Sequence, residues 1–471
     1  MTTLVWFTHD LRLSDNPALH AAAKLGDAIL PVYLVDTTNP AGHSGASLWW
    51  LHHSLIALDQ QLQTLGGKLL IHLGTTESLL TLAKQHQCEH IHFSCAHEPW
   101  LAKQQKQLQQ AALEHDITCR QFAGQLLLEP STLFNKQGTP FKVFTPFYKT
   151  AVAQLGQPTA VKMPKNYQWH PHKHSASSTL KKLKWLPQKP NWAKAFKHHW
   201  QPGEAGAHLR LASVIEQLQN YNVERDIPSS DGTSMLSPHL HFGEISPRQI
   251  WQTVSTHFPS GEAAPYLRQL FWRDFSYYLV HHFEHMIKEP FKAKFDKFPW
   301  QKPTGNTLEK WQQGQTGYPL VDAGMRQLWQ TGWMHNRVRM VVASFLTKHL
   351  QLHWQHGADW FWDTLLDADL ANNTAGWQWV AGCGADAAPY FRIFNPITQS
   401  EKFDKHGDYI RAYVPELAKL PAKFIHAPWL APEAELKAAG VVIGQDYPAP
   451  MVDHKTARET ALAAYASLNL G

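Results

Sequence analysis

The sequence predicts an α/β N-terminal domain built on a doubly wound parallel sheet, followed by an all-α domain. Three observations carry this expectation. The chain has 471 residues, more than one hydrophobic core usually organises. Up to about residue 125, short β-rich runs alternate with amphipathic helical ones. From about Gly206 helical periodicity dominates to the C-terminus.

In chain order, LVWF (4–7), AILPVYLVD (28–36), KLLIHLG (68–74) and HIHFS (90–94) read as strands, being short, apolar and rich in β-formers. Between and after them, SLWWLHHSLIALDQQLQTL (47–65), TTESLLTLAKQHQ (75–87) and EPWLAKQQKQLQQAALEH (98–115) carry helical periodicity. Such alternation implies crossover connections, a parallel sheet and a ligand crevice at the carboxyl ends of its strands. No G-x-G-x-x-G follows the first strand, so nothing supports a dinucleotide-dependent dehydrogenase. The expected organisation is an α/β domain over 1–130, a connector over 131–205 and a helical domain over 206–471. Within the connector, residues 161–200 contain nine lysines, five histidines and no acidic residue, which reads as a solvated basic loop.

Composition excludes several classes. No apolar run approaches a membrane span, and MTTLVWFTHDLRL lacks the charged start and apolar core of a signal peptide, so a cytoplasmic protein is expected. Four cysteines, Cys88, Cys95, Cys119 and Cys383, make no disulfide framework. A formal charge of +5 is too mild to imply a nucleic acid by itself. Twenty tryptophans favour a rigid interior with flat aromatic walls on which rings can stack. HQCEHIHFSCAH offers zinc-type ligands at His86, Cys88, His90, His92, Cys95 and His97, yet its alternation is that of a strand and its spacing fits no zinc pattern. His239, His241, His281, His282 and His285 read as hydrogen-bonding or surface histidines, and no metal is expected.

Four segments of the helical half concentrate chemistry: DGTSMLSPHLHFGEISPRQIW, YLRQLFWRDFSYY, TGYPLVDAGMRQLWQTGWMHNRVRM and LLDADLANNTAGWQWVAGCGADAAPYFRIFNP. The first puts Gly and hydroxyl residues before a helix, where Thr233, Ser234 and Ser237 could hold a phosphate. The others set arginines beside aromatics and amides: Arg273 by Trp272, Arg337 by Asn336, and Arg392 by Tyr390 and Phe391. Guanidinium forks suit phosphates and flat rings suit bases. In ANNTAGWQWV, Trp377 and Trp379 are two helical positions apart, so they point roughly 200° away from each other and serve different partners.

These four segments, with VWFTHDLRLSDNPAL near the N-terminus and FKVFTPFYK before the connector, resemble the DNA photolyase/cryptochrome family over essentially the whole chain, most closely its bacterial cyclobutane pyrimidine dimer photolyases. The resemblance implies bound FAD and light-dependent repair of DNA by electron transfer to a flipped-out lesion. It matches Asn373 to the residue facing the flavin N5, and Trp377, Trp354 and Trp300 to an electron-transfer chain. Trp272, Gln269, Asn336, Met340 and Trp379 match the substrate pocket. Tyr221, Thr233, Ser234, Leu236, Ser237, Arg273, Arg339, Asp367 and Asp369 match cofactor contacts, with Asp367 and Arg339 an ion pair. Arg225, Arg273, Arg337 and Arg392 match phosphate grips around the lesion.

Departures bear on function. Met235 stands where an arginine is often found, and Gln269 where dimer enzymes usually carry glutamate. Asn336 and Met340 fit dimer enzymes, whereas (6-4) photolyases tend to place histidines at both. The implied partner is damaged DNA, acted on by a monomer without membrane association; a cryptochrome-like photoreceptor and a (6-4) photolyase are the alternatives. A second chromophore, methenyltetrahydrofolate, is expected in the antenna domain, with Lys288 matching a folate contact and Leu101 standing where a folate-binding glutamate is expected.

Overall fold

TTLVWF forms strand β1 (Thr2–Phe7), every residue of it buried. In a computed structural model, described over residues 1–36, 38–39, 42–164, 166–387 and 392–468, β1 is the centre of a parallel sheet. Its neighbours are β2 (Ala28–Val35) and β4 (Cys88–Ser94), flanked by β3 (Leu70–Leu73) and β5 (Thr118–Phe122) in the order β3-β2-β1-β4-β5. Helices α1 (Pro17–Leu25), α2 (Gly45–Thr64), α3 (Thr76–Gln85) and α4 (Pro99–Leu113) alternate with the strands. Leu79 and Ala83 of α3 and Leu108 and Ala112 of α4 close over Leu4, Trp6, Ile91 and Phe93. Strands covered on both faces need near-continuous apolar runs, which is why β1 and β2 were legible.

Two elements exceed the expectation. The α1 helix is short but fully signalled, with Asn16 capping the Leu19 N–H at 3.0 Å, Pro17 at the first turn and Gly26 in the left-handed region after it. The β5 strand, TCRQF, is mostly exposed and polar, so no apolar run announces it.

The turn after β1 is a polar knot. Arg12, 1% exposed, donates to the carbonyls of Gly243 at 2.8 Å, Asp15 at 2.8 Å and Gly124 at 3.2 Å. Asp15 pairs with Arg248 at 3.1 Å, and Glu204 accepts from Leu13 N–H at 2.8 Å. Gly243 has φ +66°, and a Cβ there would lie 2.0 Å from the His9 carbonyl oxygen, so only glycine lets the two segments meet.

By contacts the chain divides into two units, the first of Met1–Gln219, Ser234–Glu284 and Leu366–Ala371, the second of Asn220–Thr233, His285–Leu365 and Asn372–Gly471. Residues 131–205 therefore lie within the first unit. Within them, residues 161–200 are not the solvated loop expected: Gln168–Trp169 pairs with β2, Trp169 donates to the Leu65 carbonyl at 2.7 Å, and Leu180 and Phe196 are buried. Apolar residues spaced among the lysines anchor the segment while the charges face solvent. The second unit has its own knot. Asp322, buried in helix Pro319–Thr331, accepts from Thr316 N–H at 2.7 Å, Gly317 N–H at 3.0 Å and Tyr447 hydroxyl at 2.6 Å. Among the described residues no helix is long and apolar enough to cross a membrane.

Candidate functional site

Within the second unit, Trp377 is 3% exposed on helix Leu370–Ala381, with Phe361 edge-on at 4.9 Å and Trp311 edge-on at 6.2 Å. Gly357 of helix Trp354–Thr364 lies beneath it: a Cβ there would sit 2.0 Å from Trp377 Cη2. The rotation of the helix is fixed by Gln378. Its amide, wholly buried, donates to the carbonyls of Met286 at 2.6 Å and Glu289 at 2.8 Å and accepts from Phe291 N–H at 2.8 Å. Trp377 is thereby locked inward and Trp379 left half-buried, as the two-residue offset requires. Sequence reasoning passed over Gln378; its one signal was an amide flanked by two tryptophans.

Trp354 is buried and Trp300 half-buried, and His353 lies between them, 5.5 Å from the first ring and 5.2 Å from the second. Burial thus decreases from Trp377 and Trp354 to Trp300. Asn373 donates through Nδ2 to the Ala358 carbonyl at 3.0 Å, which fixes the amide and makes its oxygen the acceptor end. An amide held in this sense suits a protonated ring nitrogen, so this residue fits the flavin that the resemblance implies.

The expected arginines of this unit are coupled by a carboxylate. Arg337 donates to Asp226 at 2.8 Å, and Arg225 approaches the same oxygen at 3.8 Å. Arg337 also lies 4.4 Å over the Phe403 ring, and Arg225 5.6 Å over Tyr221. Asn336 is exposed and Met340 half-buried on helix Asn336–Ser344. His335 caps that helix, accepting from Arg337 N–H at 3.2 Å, and burial pulls its imidazole down to about 4. Arg339 donates to the Met334 carbonyl at 2.7 Å and lies 5.9 Å from the Trp333 ring. Arg392 is exposed; its expected neighbours Tyr390 and Phe391 lie outside the described residues. Thr233 is half-buried here, and Lys288 accepts through its carbonyl from Gln355 at 2.8 Å.

In the first unit, helix Ala264–His282 carries Gln269, Trp272 and Arg273. Trp272 is stacked face to face on Phe144 at 3.5 Å, which covers one side of the indole. Gln269 donates to the Pro265 carbonyl at 3.2 Å. Arg273 has a side chain only 11% exposed and donates to the carbonyls of Gln125 at 2.9 Å and Leu240 at 3.4 Å, with Asp274 at 3.5 Å. A guanidinium so enclosed does not suit the DNA phosphate grip expected of it; two backbone carbonyls and a carboxylate already occupy its fork. Burial pushes the Asp274 carboxyl up to about 7, against the charge of Arg273 and the N–H groups of Leu127 and Leu128.

Asp369 accepts from the Tyr277 hydroxyl and from His241 Nδ1. Burial works to raise its carboxyl, but the bond and charge of His241, the charge of Arg273 and the Tyr277 bond outweigh burial and hold it below the usual range. Asp367 is buried and lies in this unit, and Arg339 lies in the other. Ser234, Leu236 and Ser237 precede or begin the five-residue helix Ser237–His241. Ser234 accepts through its carbonyl from Arg210 at 2.9 Å, and Met235 adopts φ +51°, unusual without glycine. Leu101 packs against the sheet core, which accounts for a leucine there. HQCEHIHFSCAH gathers no ligand set: its strand β4 sends His92 to the Ala18 carbonyl at 3.3 Å.

The model of the family described as DNA photolyase matches residues 3–165, and that described as the FAD binding domain of DNA photolyase matches residues 266–467. A deoxyribodipyrimidine photo-lyase from Agrobacterium fabrum is 47% identical over 99% of this chain and 98% of that protein. Cryptochrome-1 from Arabidopsis thaliana is 36% identical over 96% of this chain and 68% of that protein. The crystal structure of a bacterial class III photolyase from Agrobacterium tumefaciens superposes with a TM-score of 0.95 at 46% identity, covering 100% of this chain and 98% of that one. A parallel-sheet domain, a helical domain after it and likeness along the full length lead to one assignment: the chain belongs to the DNA photolyase/cryptochrome family.

Proposed function

We propose that the chain is a deoxyribodipyrimidine photolyase that repairs cyclobutane pyrimidine dimers in DNA under blue light. The observation that carries this reading is 47% identity along 99% of the chain to an enzyme of that name. FAD, when bound, supplies the light absorption and the electron for the lesion. The protein binds, orients and excludes water. Asn373 presents an acceptor of fixed sense. Trp377, Trp354 and Trp300 give a path of falling burial by which an electron enters from the surface, with His353 between the outer two.

Trp272, its ring stacked on Phe144, suits a pyrimidine flipped out of the duplex, and a dimer flips more cheaply than intact bases. Arg225, Arg337 and Arg392 grip phosphates without reading sequence, the first two sharing the Asp226 carboxylate in the free protein. Asn336 and Met340 bring no group that titrates near neutral pH, and the neighbouring His335 is buried and committed to its cap, so proton transfer to a (6-4) lesion lacks a donor. In this reading residues 1–130 are an antenna domain that takes methenyltetrahydrofolate, 131–205 link it to the catalytic region 206–471, and the protein works as a cytoplasmic monomer.

Chromatography of oligonucleotides carrying one defined lesion, after illumination with the reduced protein, tests the proposal. Cyclobutane thymine dimers are expected to revert and (6-4) products to persist. Restored (6-4) thymines would refute the pocket reading. Failure on both lesions would favour a photoreceptor, the reading to which Gln269 and the 36% identity to Cryptochrome-1 point.

A further inference from the structure

Three histidines far apart in sequence converge in the first unit. His9 follows strand β1, His43 precedes helix α2, and His241 ends the helix Ser237–His241. Their ring centroids are 5.2 to 5.8 Å apart, and one ring nitrogen from each falls within 4.8 Å of the other two. Among the described residues no other group of three histidine, cysteine or acidic side chains converges this closely. The cluster is independent of the FAD reading, although Asp369 belongs to both.

We propose that His9, His43 and His241 form a binding site for a divalent transition-metal ion of the zinc type, with a water in the fourth position. The ligand arrangement argues for it first. His241 turns Nδ1 to the Asp369 carboxylate at 3.4 Å, and its Nε2 is buried with no hydrogen-bond partner. A carboxylate behind a histidine whose other nitrogen is bare is the outer shell that orients zinc-binding imidazoles. His43 likewise has a buried Nδ1 with no partner. Leaving two such nitrogens unsatisfied is costly, and an ion relieves both.

Rigidity argues second. The backbone of His9 is held by the close approach of Gly243, and the ring of His43 rests on Phe242 at 5.0 Å. A tetrahedral ion with bonds of about 2.0–2.1 Å sets its ligand nitrogens about 3.3 Å apart. The cluster then needs to close by roughly 1.5 Å at most, within reach of side-chain rotation alone. Asp369, bonded to His241 Nδ1, places a carboxylate behind the ligand set.

The flavin-loaded full chain, stripped with a chelator and dialysed against zinc, is expected to retain about one zinc per chain by elemental analysis. Cobalt(II) in its place should give a tetrahedral ligand-field band to the red of the flavin absorption. X-ray absorption should report three imidazole nitrogens at about 2.0 Å. His43→Asn and the triple variant His9→Asn/His43→Asn/His241→Asn are expected to lose binding at least tenfold. Flavin content and the melting profile of His43→Asn show whether that single variant is folded. A wild-type chain that retains no zinc, or a triple variant that retains as much as the wild type through the other surface histidines, overturns the proposal.

Discussion

Residues 10–16 and residues 372–380 are both short and crowded with polar or aromatic side chains, yet they are spent in opposite ways. In the first, Arg12 turns inward onto three carbonyls, Asp15 is taken by Arg248, and Asn16 caps a helix. In the second, Gln378 is spent on anchoring, while Asn373 keeps its oxygen as an acceptor and Trp379 stays half-buried. A dense motif is therefore not a site by density. The accounting of its hydrogen bonds separates a joint from a place where chemistry happens.

The comparison breaks most readily at Arg12. Arg12→Ala leaves buried carbonyls without donors and Asp15 with less positive charge, and should cost about 3–5 kcal/mol of stability. Denaturant titration should show the midpoint falling sharply, with whatever remains folded keeping its flavin chemistry. A variant of wild-type stability would mean that the knot is decorative.

At the other segment the effect should fall on function. Gly357→Ala drives a methyl into the Trp377 ring, which must tilt away, and photoreduction of the oxidised flavin should slow by at least tenfold in a chain that still binds it. Trp377→Phe should do the same by removing the indole. Flash photolysis of both decides the matter, since unchanged photoreduction would take Trp377 off the electron path.

Asp274 belongs to the inward class, and its pH dependence sharpens the contrast. Its folded pKa, about 7, exceeds the unfolded value near 3.8, so the folded state binds more protons between these limits. Its contribution to stability is present at low pH and is lost as pH rises through about 7. Asp274→Asn should therefore gain on the wild type between pH 4 and 7, by about 4 kcal/mol at most. Urea midpoints across that range check the sign.

The smallest effect concerns the outward class. Arg337→Ala should weaken binding to damaged and undamaged DNA by similar factors, and flatten the salt slope by about 0.9, one phosphate contact. Lost discrimination at an unchanged slope would make Arg337 a reader of the lesion.

The sheet was legible because buried parallel strands are continuous apolar runs, and β5 escaped because an exposed edge strand need not be apolar. The stretch 161–200 misled because its nine lysines mask a sparse set of anchors, Trp169, Leu180 and Phe196. The opposed directions of Trp377 and Trp379 followed from helix geometry alone. What fixes them, Gln378, did not, since its partners Met286 and Glu289 lie about ninety residues away. Arg273 read as a clamp from its neighbours in sequence, and only the carbonyls of Gln125 and Leu240 reveal it as enclosed. Histidines 9, 43 and 241 share no local pattern, so no spacing rule could have joined them.

The contact between Gly357 and Trp377 makes the two positions epistatic. The atoms a Cβ at 357 would strike, Cη2, Cζ3 and Cζ2, all belong to the outer edge of the indole, which phenylalanine lacks. Alanine at 357 is thus damaging beside tryptophan and tolerable beside phenylalanine, so the stability costs of Gly357→Ala and Trp377→Phe should fall short of their sum in the double variant. A library that varies either position alone would score 357 as immutable, when what is fixed is the pair.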